Sequence, residues 1–287
     1  MKFKYISLIY DDKFFVVTNC DDTCNILDTN GNILSDTWYK SVIYISDGLF
    51  IVWKGSKKNI FNANTKKLIS PDLWFDEVLD YCHDGYTIVR INGLGENLIS
   101  SDGKMCDTWV DRIIENKFAF KNYLVVEKGN KQNLIGKDLK LLFDDFLFES
   151  IYVRENFIFT MENGPDMDYK WRIRDIKGNL IFEDKWFDEV DIYTNDMFIV
   201  SNKNKNNLMD LQGNLISKDL WFDMIYNPKP DGIAKVLLNR KENFLNLATG
   251  ELCSEGWFDE VRYNNGLFQY KTDGKWFIKK VQPKMDC

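Results

Sequence analysis

Pairs of adjacent carboxylates are the residues of this sequence that could most directly perform chemistry. They are Asp76-Glu77, Asp188-Glu189 and Asp259-Glu260, and each follows a Trp-Phe pair. Two neighbouring carboxylates can serve as a general acid and base, or as oxygen ligands of a hard cation. An active site needs one such pair, whereas here the pair recurs together with its flanking residues. We therefore interpret the aspartates as caps of backbone amides in turns that lead into strands, and a ring of carboxylates around a channel is the alternative.

The cysteines and the histidine form no recognisable site in the sequence. Cys20 and Cys24 are separated by three residues, which does not match a usual zinc motif, and Cys82-His83 lies far from them. His83 is the only histidine, and the sequence contains no glycine-rich phosphate loop and no nucleophile elbow. The six cysteines are irregularly spaced, which indicates reduced thiols. We predict no catalytic residues, no metal site and no cofactor, and hence no enzyme.

The charge and the hydropathy of the chain limit its partners. Its 287 residues carry a formal net charge of −7 without a dense run of lysine and arginine, so a nucleic-acid partner is not expected. No apolar run approaches the roughly 20 residues of a membrane span, and the first ten residues lack the apolar segment of a secretory signal. We expect a cytoplasmic protein without a membrane partner; a place in a virus particle is the alternative if the chain is phage-encoded.

A repeated anchor of five residues organises the whole chain. Anchors begin at residues 2, 38, 74, 109, 147, 186, 221 and 257, so successive repeats start 35 to 39 residues apart. Spacing this regular indicates a tandem array in which each repeat adds its own slice of core. We expect the anchor tryptophans to pack between neighbouring repeats; they are Trp38, Trp74, Trp109, Trp186, Trp221 and Trp257.

Each repeat predicts several short β-strands. In the third repeat, residues 75–79, 86–91 and 96–100 are rich in β-branched and aromatic residues, turns of Asn, Asp and Gly separate them, and a short fourth segment leads to the next anchor. A second landmark is an asparagine followed by two apolar residues, and Arg172 and Trp276 stand in its place in two repeats. The landmark asparagines are Asn25, Asn59, Asn97, Asn133, Asn207 and Asn243.

The second strands are apolar on both sides, as in Leu49-Phe50-Ile51-Val52-Trp53 and Met197-Phe198-Ile199-Val200. A sheet with one solvated face would alternate, so each small sheet must lie between two neighbours. Propeller blades meet this requirement, and so do the stacked sheets of an open solenoid. The sequence therefore predicts an all-β fold of tandem repeats in a single domain, residues 1–287. We expect it to be β-propeller-like with about eight short blades, and an open β-solenoid or superhelical array is the alternative.

The order of these landmarks resembles the WG (or KWG) repeat proteins of bacteria and of their viruses. The run Thr272-Asp273-Gly274-Lys275-Trp276-Phe277-Ile278 matches the name of that family best, and the repeat order covers essentially the whole chain. In the other repeats Asn-Leu-Ile usually stands where the family has Trp-Gly. The resemblance implies a β-repeat fold. It implies no particular ligand, because the family shares no catalytic residues and no cofactor.

Two segments break the repeat and are the candidate partner-binding loops. Residues 162–171 lengthen one hairpin, and residues 227–231 place two prolines in another turn. Functional contacts of repeat scaffolds tend to lie in such irregular loops. The candidate residues are Asn163, Asp166, Tyr169, Trp171, Pro228, Lys229 and Pro230.

These observations favour a non-catalytic β-repeat scaffold that mediates protein–protein interaction or self-assembly. One alternative is a structural component of a phage particle. Another is a carbohydrate-binding or hydrolytic β-propeller that uses carboxylates and tryptophans at a central opening.

Overall fold

The computed structural model describes residues 2–7, 9–82, 85–114, 122–229, 231–264 and 267–280. Within these ranges the chain forms 25 β-strands in eight antiparallel sheets, one for each repeat. The sheets belong to two compact units, Met1–Leu147 and Phe148–Cys287, with four sheets in each. The described part of the chain contains no helix of the length and apolarity that crossing a membrane requires.

The strands follow the chain order within every sheet. The first unit contains sheet 1 with β1 (Tyr5–Ile6), β2 (Phe14–Thr18) and β3 (Cys24–Asp28); sheet 2 with β4 (Ser41–Ser46), β5 (Leu49–Lys54), β6 (Lys57–Asn62) and β7 (Lys67–Leu68); sheet 3 with β8 (Glu77–Cys82), β9 (Tyr86–Ile91) and β10 (Gly95–Ser100); and sheet 4 with β11 (Arg112–Ile114), β12 (Tyr123–Lys128) and β13 (Lys131–Gly136). The second unit contains sheet 5 with β14 (Ser150–Arg154), β15 (Phe157–Asn163) and β16 (Tyr169–Asp175); sheet 6 with β17 (Glu189–Thr194), β18 (Met197–Asn202) and β19 (Lys205–Asp210); sheet 7 with β20 (Met224–Ile225), β21 (Ile233–Leu238) and β22 (Lys241–Asn246); and sheet 8 with β23 (Glu260–Asn264), β24 (Leu267–Thr272) and β25 (Lys275–Lys280).

The second and third strands of each sheet are joined at what we call its hairpin end, and in sheets 6 and 7 the connection is a tight turn. The turn is Lys203-Asn204 in sheet 6 and Asn239-Arg240 in sheet 7, and all four residues have φ between 49° and 63°. Positive φ at both central residues marks a type I′ turn, whose twist matches that of the flanking strands. The first and second strands are joined at the opposite end, which we call the loop end.

Successive sheets within a unit bury apolar side chains between them. In β5, Leu49 packs with Phe75 and Val89 toward sheet 3, whereas Phe50 packs with Phe14 toward sheet 1. Both β5 residues are buried, with 2% and 0% of their surface exposed. Consecutive residues of a strand point to opposite faces. The apolar pattern on both sides of the second strands therefore reflects burial on both faces, as predicted.

Each anchor is divided between two sheets. Phe75 pairs with Lys58 of the preceding sheet through backbone hydrogen bonds of 2.8 and 2.9 Å, and the Asp76 amide donates to the Arg90 carbonyl of β9 at 2.9 Å. The first strand predicted at residues 75–79 is therefore displaced, because Phe75 is bound to the previous sheet and β8 begins only at Glu77. The same bridge to the preceding sheet recurs at Tyr39, Val110, Phe187, Phe222 and Phe258.

The expected fourth segment is a strand in sheet 2 and a short return pairing in other repeats. Met105 and Leu215 each form one antiparallel bridge to the third strand of their own sheet, at Ile99 and Met209. Three strands with a short outer bridge make a small blade. The predicted all-β fold of eight tandem repeats, each forming one small antiparallel sheet, is confirmed.

Candidate functional site

The anchor aspartates tie two sheets together through a lysine and a backbone amide. Asp76 accepts a hydrogen bond from Lys57 Nζ at 2.6 Å and another from the Asn92 amide at 2.9 Å. Lys57 begins the third strand of the preceding sheet, whereas Asn92 lies in the hairpin turn of the aspartate's own sheet. The predicted capping role is confirmed. Asp188, Asp223 and Asp259 pair likewise with Lys170, Lys205 and Lys241, and the amides of Lys203 and Asn239 donate to Asp188 and Asp223.

These contacts favour the ionised form of the aspartates. Hydrogen bonds from the ammonium groups of Lys57 and Lys205, together with the hairpin amides, lower the pKa of Asp76 and Asp223 below the ordinary value of 3.8. The pKa values of Asp188 and Asp259 are lowered by Lys170 and Lys241 in the same way. A carboxylate that a lysine and an amide hold ionised is a weak proton donor, and its oxygens are already in use. These aspartates therefore act as structural ties.

The stability that the anchor aspartates contribute should decline in acid. Because their folded-state pKa lies below the unfolded value, the contribution is complete above about pH 4 and is lost as the pH falls through the folded-state pKa. Lys205→Gln removes the cation beside Asp223 and should move the acid-unfolding midpoint, followed by circular dichroism, slightly to higher pH. Lys229→Gln removes an exposed loop lysine and is the matched control. Equal midpoints for the two variants would contradict this role of Lys205.

The glutamates of the three carboxylate pairs differ in their partners. Glu77 accepts a hydrogen bond from Arg90 Nη1 at 3.0 Å, and Glu260 accepts one from Arg262 Nη2 at 2.8 Å. Glu189 is exposed, and its carboxylate has no hydrogen-bond or ion-pair partner within the described ranges. No group of three or more His, Cys, Asp and Glu side chains in those ranges is placed to hold a metal ion.

The described thiols are free. They belong to Cys20, Cys24, Cys106 and Cys253. Burial raises the pKa of the Cys106 and Cys253 thiols, which lowers the fraction of nucleophilic thiolate at neutral pH. His83 lies outside the described residues, so the arrangement of the Cys82-His83 pair is not described.

Buried asparagines near the start of the third strands hold the segments that lead to the next anchor. Asn207 has no exposed surface, and its Nδ2 donates to the carbonyls of Ser217 and Leu220 at 2.8 and 3.0 Å. Its Oδ1 accepts a hydrogen bond from the Leu208 amide at 2.8 Å. The Ser217 amide also donates to this Oδ1, at 3.4 Å, so one side chain contacts four backbone groups. The same two carbonyl contacts are made by Asn25, Asn59, Asn97, Asn133 and Asn243.

An arginine replaces the asparagine in sheet 5. The guanidinium of Arg172 donates to the Glu183 carbonyl of the connecting segment and lies 4.3 Å from the ring centroid of Trp186. Arg172 thus performs the same closure with a longer side chain, as the sequence position predicted.

Phe277, and not Trp276, stands at the asparagine position of sheet 8. The register pairs Tyr270 with Phe277, as it pairs Val236 with Asn243 in sheet 7. The hairpins of sheets 7 and 8 both have two-residue turns, and Asn243 and Phe277 are each the third residue after the turn. The predicted place of Trp276 is therefore wrong by one residue.

The anchor tryptophans are half-buried, and the residue after most of them is buried in the core. Trp74, Trp221 and Trp257 pack against the apolar clusters between successive sheets. Phe75 and Phe222 have no exposed surface at all. Packing between repeats is confirmed for these three tryptophans, but Phe75 and Phe222 are buried more deeply than Trp74 and Trp221.

The first candidate loop is an insertion into the hairpin of sheet 5. Glu162 pairs with Lys170 as Asn202 pairs with Lys205 in sheet 6. The seven residues 163–169 therefore occupy the place of the two-residue turn Lys203-Asn204. Lys170 keeps its ion pair with Asp188, so the insertion leaves the tie between sheets 5 and 6 intact.

The tip of this hairpin is solvent-exposed. Met167 is 90% exposed and has a φ of 63°, and Tyr169 is 53% exposed. Asn163 and Asp166, the other predicted residues of this tip, are exposed as well. The hairpin therefore presents an aromatic ring and a thioether to solvent beside polar groups.

The second candidate loop lies at the opposite end of the repeat. Residues 227–231 join β20 to β21 at the loop end of sheet 7, where the Tyr193 hydroxyl of sheet 6 donates to the Tyr226 carbonyl at 2.5 Å. Lys229 is exposed, Pro228 is half-buried, and Pro230 lies outside the described residues. A strand of six residues spans about 20 Å. The structure therefore does not bring the two candidate loops to one surface.

Open grooves lie between neighbouring sheets of the second unit. One, of about 320 Å³, lies between sheets 5 and 6 and is lined by Tyr152, Trp171, Glu189, Asp191, Ser201 and Asn206, with apolar residues at its base. Another, of about 530 Å³, lies between the connecting segments that follow β19 and β22 and is lined in part by Lys218, Asp219, Glu251 and Glu255.

Trp171 lies in the first groove and not at the hairpin tip where the sequence suggested it. It is half-buried, it pairs with Phe187 of the next anchor, and its ring centroid lies 5.2 Å from that of Tyr152 in an edge-to-face contact. No motif in the sequence marks Tyr152, Ser201 or Asn206. They can be recognised only by comparing the residues at equivalent positions in the other repeats. That comparison requires the strand register.

Comparisons with known proteins give no family for this chain. No protein-family model matches it, and no curated protein matches it. It is similar to a solved eukaryotic initiation factor at 10% identity, covering 94% of this chain and 82% of that chain with a TM-score of 0.36. It is similar to BamB from Moraxella catarrhalis at 10% identity, 96% and 92% coverage and a TM-score of 0.29, and to Kluyveromyces lactis Hsv2 at 12% identity, 82% and 94% coverage and a TM-score of 0.30. Similarity of this degree carries no argument about function.

Proposed function

We propose that the chain is a non-catalytic scaffold of β-repeats that binds a protein partner. The observation that carries the proposal is the hairpin insertion 163–169. It exposes Met167 and Tyr169 while leaving the Lys170–Asp188 tie in place. A segment that adds exposed apolar area without contributing to the frame is a typical contact site of a repeat scaffold.

The ion pairs of the anchor aspartates also support the proposal. Asp76, Asp188, Asp223 and Asp259 each hold a lysine of the preceding sheet, so these four carboxylates are already engaged in structural contacts. This arrangement gives less support to a hydrolytic propeller than to a scaffold.

The proposal extends to family and location. We propose membership of the WG-type repeat proteins, supported by the resemblance of residues 272–278 and by the eight repeats of roughly 36 residues. A cytoplasmic location agrees with the free thiols of the described cysteines. A phage structural component would have the same physical features, and mass spectrometry of purified particles distinguishes it.

Replacing residues 163–169 with Lys-Asn, the turn of sheet 6, should remove the partner and leave the fold unchanged. Tagged wild-type and exchanged chains are purified from the source cells, and co-purifying proteins are quantified by mass spectrometry. We expect a specific partner to fall by about tenfold or more in the exchanged chain, because contact hot spots concentrate in a few residues. The melting temperature should be unchanged, because the tie through Lys170 remains.

Exchange of Lys203-Asn204 for Asn-Arg, the turn of sheet 7, is the matched control and should retain the partner. A partner that survives the 163–169 exchange would place binding elsewhere and remove the main support for the proposal. If the chain captured no partner and instead showed a hydrolytic activity that Asp188→Asn abolished, the protein would be an enzyme and not a scaffold.

A further inference from the structure

The tip of the sheet 5 hairpin holds an apolar side chain in a backbone conformation that favours glycine, asparagine and aspartate. Thirteen of the described non-glycine residues have a positive φ, between 49° and 63°. Eleven of them are polar, and the other two are Leu139 and Met167. Leu139 is 8% exposed, so burial compensates for its conformation, whereas Met167 is 90% exposed. Packing within the chain therefore does not account for a methionine at this position.

Backbone hydrogen bonds fix the tip without using the Met167 side chain. The Met167 amide donates to the Gly164 carbonyl at 3.1 Å, and the Gly164 amide donates to the Asp168 carbonyl at 2.8 Å. The first of these bonds closes a β-turn over residues 164–167, in which Pro165 occupies the second position that proline favours. A chemical change at the Met167 sulfur should therefore leave the frame of the hairpin intact.

Met167 is the most exposed of the large apolar residues that the structure describes. Its neighbours Asp166 and Asp168 are exposed and polar, and Tyr169 carries a hydroxyl group. The unbranched thioether of methionine adapts to irregular apolar surfaces, and methionines recur at binding surfaces for this reason. We therefore expect a partner that contacts this tip to bury the Met167 thioether.

The other described methionines are less accessible to solvent. Met224 is 47% exposed and Met209 is 0% exposed. Three more are half-buried, and they are Met105, Met161 and Met197. A peroxide must reach the sulfur to oxidise it, so the rate of oxidation follows the exposure of the side chain. Met167 should therefore be oxidised first.

We propose that Met167 is a methionine oxidation site that controls the partner contact of the hairpin tip. The sulfur attacks one oxygen of hydrogen peroxide, so that the S–O bond forms, the O–O bond breaks and the other oxygen leaves with both hydrogens as water. The thioether loses two electrons and becomes a sulfoxide, and the peroxide is reduced. The sulfoxide is polar, so a partner surface that buries the thioether loses affinity. The effect on a partner rests on the proposed scaffold function, whereas the oxidation rests on the exposure of Met167.

Peptide mapping of the purified full chain after treatment with hydrogen peroxide tests the site without any partner. Met167 should be oxidised about twofold faster than Met224 and about tenfold or more faster than Met209, because access to the sulfur sets the rate. At a dose that leaves Met209 intact, the melting temperature should be unchanged. Oxidation of Met167 that is no faster than that of Met224 would overturn the proposal.

Capture of the partner by tagged chains tests the control of binding. Cys20 is an exposed thiol that peroxide also attacks, so the oxidised chains are treated with dithiothreitol, which reduces sulfenic acids and disulfides and leaves the sulfoxide. We expect the oxidised wild-type chain to capture about fivefold less partner or lower, because a few contact residues carry most of the binding energy. Methionine sulfoxide reductases should restore capture. Met167→Leu keeps an apolar side chain that forms no sulfoxide, so this variant should retain the partner after oxidation.

Two glutamine variants complete the test. Met167→Gln introduces a polar side chain and should lose the partner without peroxide, whereas Met224→Gln makes the same change at the other exposed methionine and should retain it. A partner that oxidised wild-type chain retains, or that oxidised Met167→Leu loses to the same extent, would overturn the control by oxidation and leave the scaffold in place. A chain that captures no partner in either state would overturn the proposed function and the control of binding, while the peptide map would still decide the oxidation site.

Discussion

Replacing Phe222 with alanine is expected to lower the free energy of unfolding of the second unit by about 3–5 kcal/mol. Phe222 has no exposed surface and packs in the cluster between sheets 6 and 7, beside Leu208 and Val236. The truncation removes a buried ring and leaves a cavity in a close-packed interface. Its backbone bonds to Asn206 remain, so the substitution isolates the side chain. Urea denaturation of the full chain, followed by circular dichroism, measures the loss.

Trp221→Ala is the informative comparison, because the tryptophan is the larger residue and the more visible one in the sequence. It is half-buried at the edge of the cluster between sheets 5 and 6, so its truncation should cost only about 1–2 kcal/mol. A larger loss for Trp221→Ala than for Phe222→Ala would mean that the tryptophan, and not the phenylalanine, holds the sheets together.

Replacing Asn207 with leucine is expected to cost about 2–4 kcal/mol, although leucine is apolar and close in volume. Two buried carbonyls, those of Ser217 and Leu220, lose their donor, and the Leu208 amide loses its acceptor. Buried polar groups without partners are costly, and no water is expected to reach a side chain with 0% exposure. The loss is measured by the same denaturation experiment.

Asn214→Ala serves as the control for the asparagine. Asn214 is exposed, and its Nδ2 donates to Asp210 Oδ2 at 2.9 Å in a surface turn. Its removal should cost less than about 1 kcal/mol. If Asn207→Leu were as stable as the wild type, the connecting segment would be held by its apolar contacts, and the hydrogen bonds of Asn207 would be dispensable.

The prediction of the fold from the sequence succeeded where the signal is local. The apolar run around Leu49 and Phe50 predicts a strand buried on both faces, because successive side chains of a strand alternate between its sides. Turn residues such as Lys203-Asn204 then separate the second strand from the third. Both signals can be recognised without knowing any distant contact.

The division of the anchor was not predictable in the same way. Phe75 follows Trp74 and precedes Asp76 in one continuous motif, and nothing in that motif indicates that Phe75 pairs backward with Lys58 while Asp76 pairs forward with Arg90. The partners are separated along the chain by other strands, so only their register decides the pairing.

The candidate site shows the same limit. Glu77 and Glu189 stand in identical pentapeptides, yet Glu77 is bound by Arg90 and Glu189 is left without a partner in the described ranges. The difference is a serine at position 201, 12 residues after Glu189, which the antiparallel pairing places beside it. The two carboxylates are therefore equivalent in the sequence motif but differ in their partners in the structure.

The carboxylate pairs illustrate what the sequence and the tertiary structure each decide. The sequence by itself determined that the chain is a tandem all-β array and that its anchor aspartates cap turns, because periodicity and turn chemistry act over a few residues. Only the tertiary structure decided that the loops at 163–169 and 227–231 lie at opposite ends of their sheets, that Asn207 closes a segment ten and 13 residues ahead, and that Glu189, unlike Glu77, has no partner in the described ranges. These properties depend on which strands stand side by side, and that arrangement follows from the burial of apolar side chains between successive sheets within each unit.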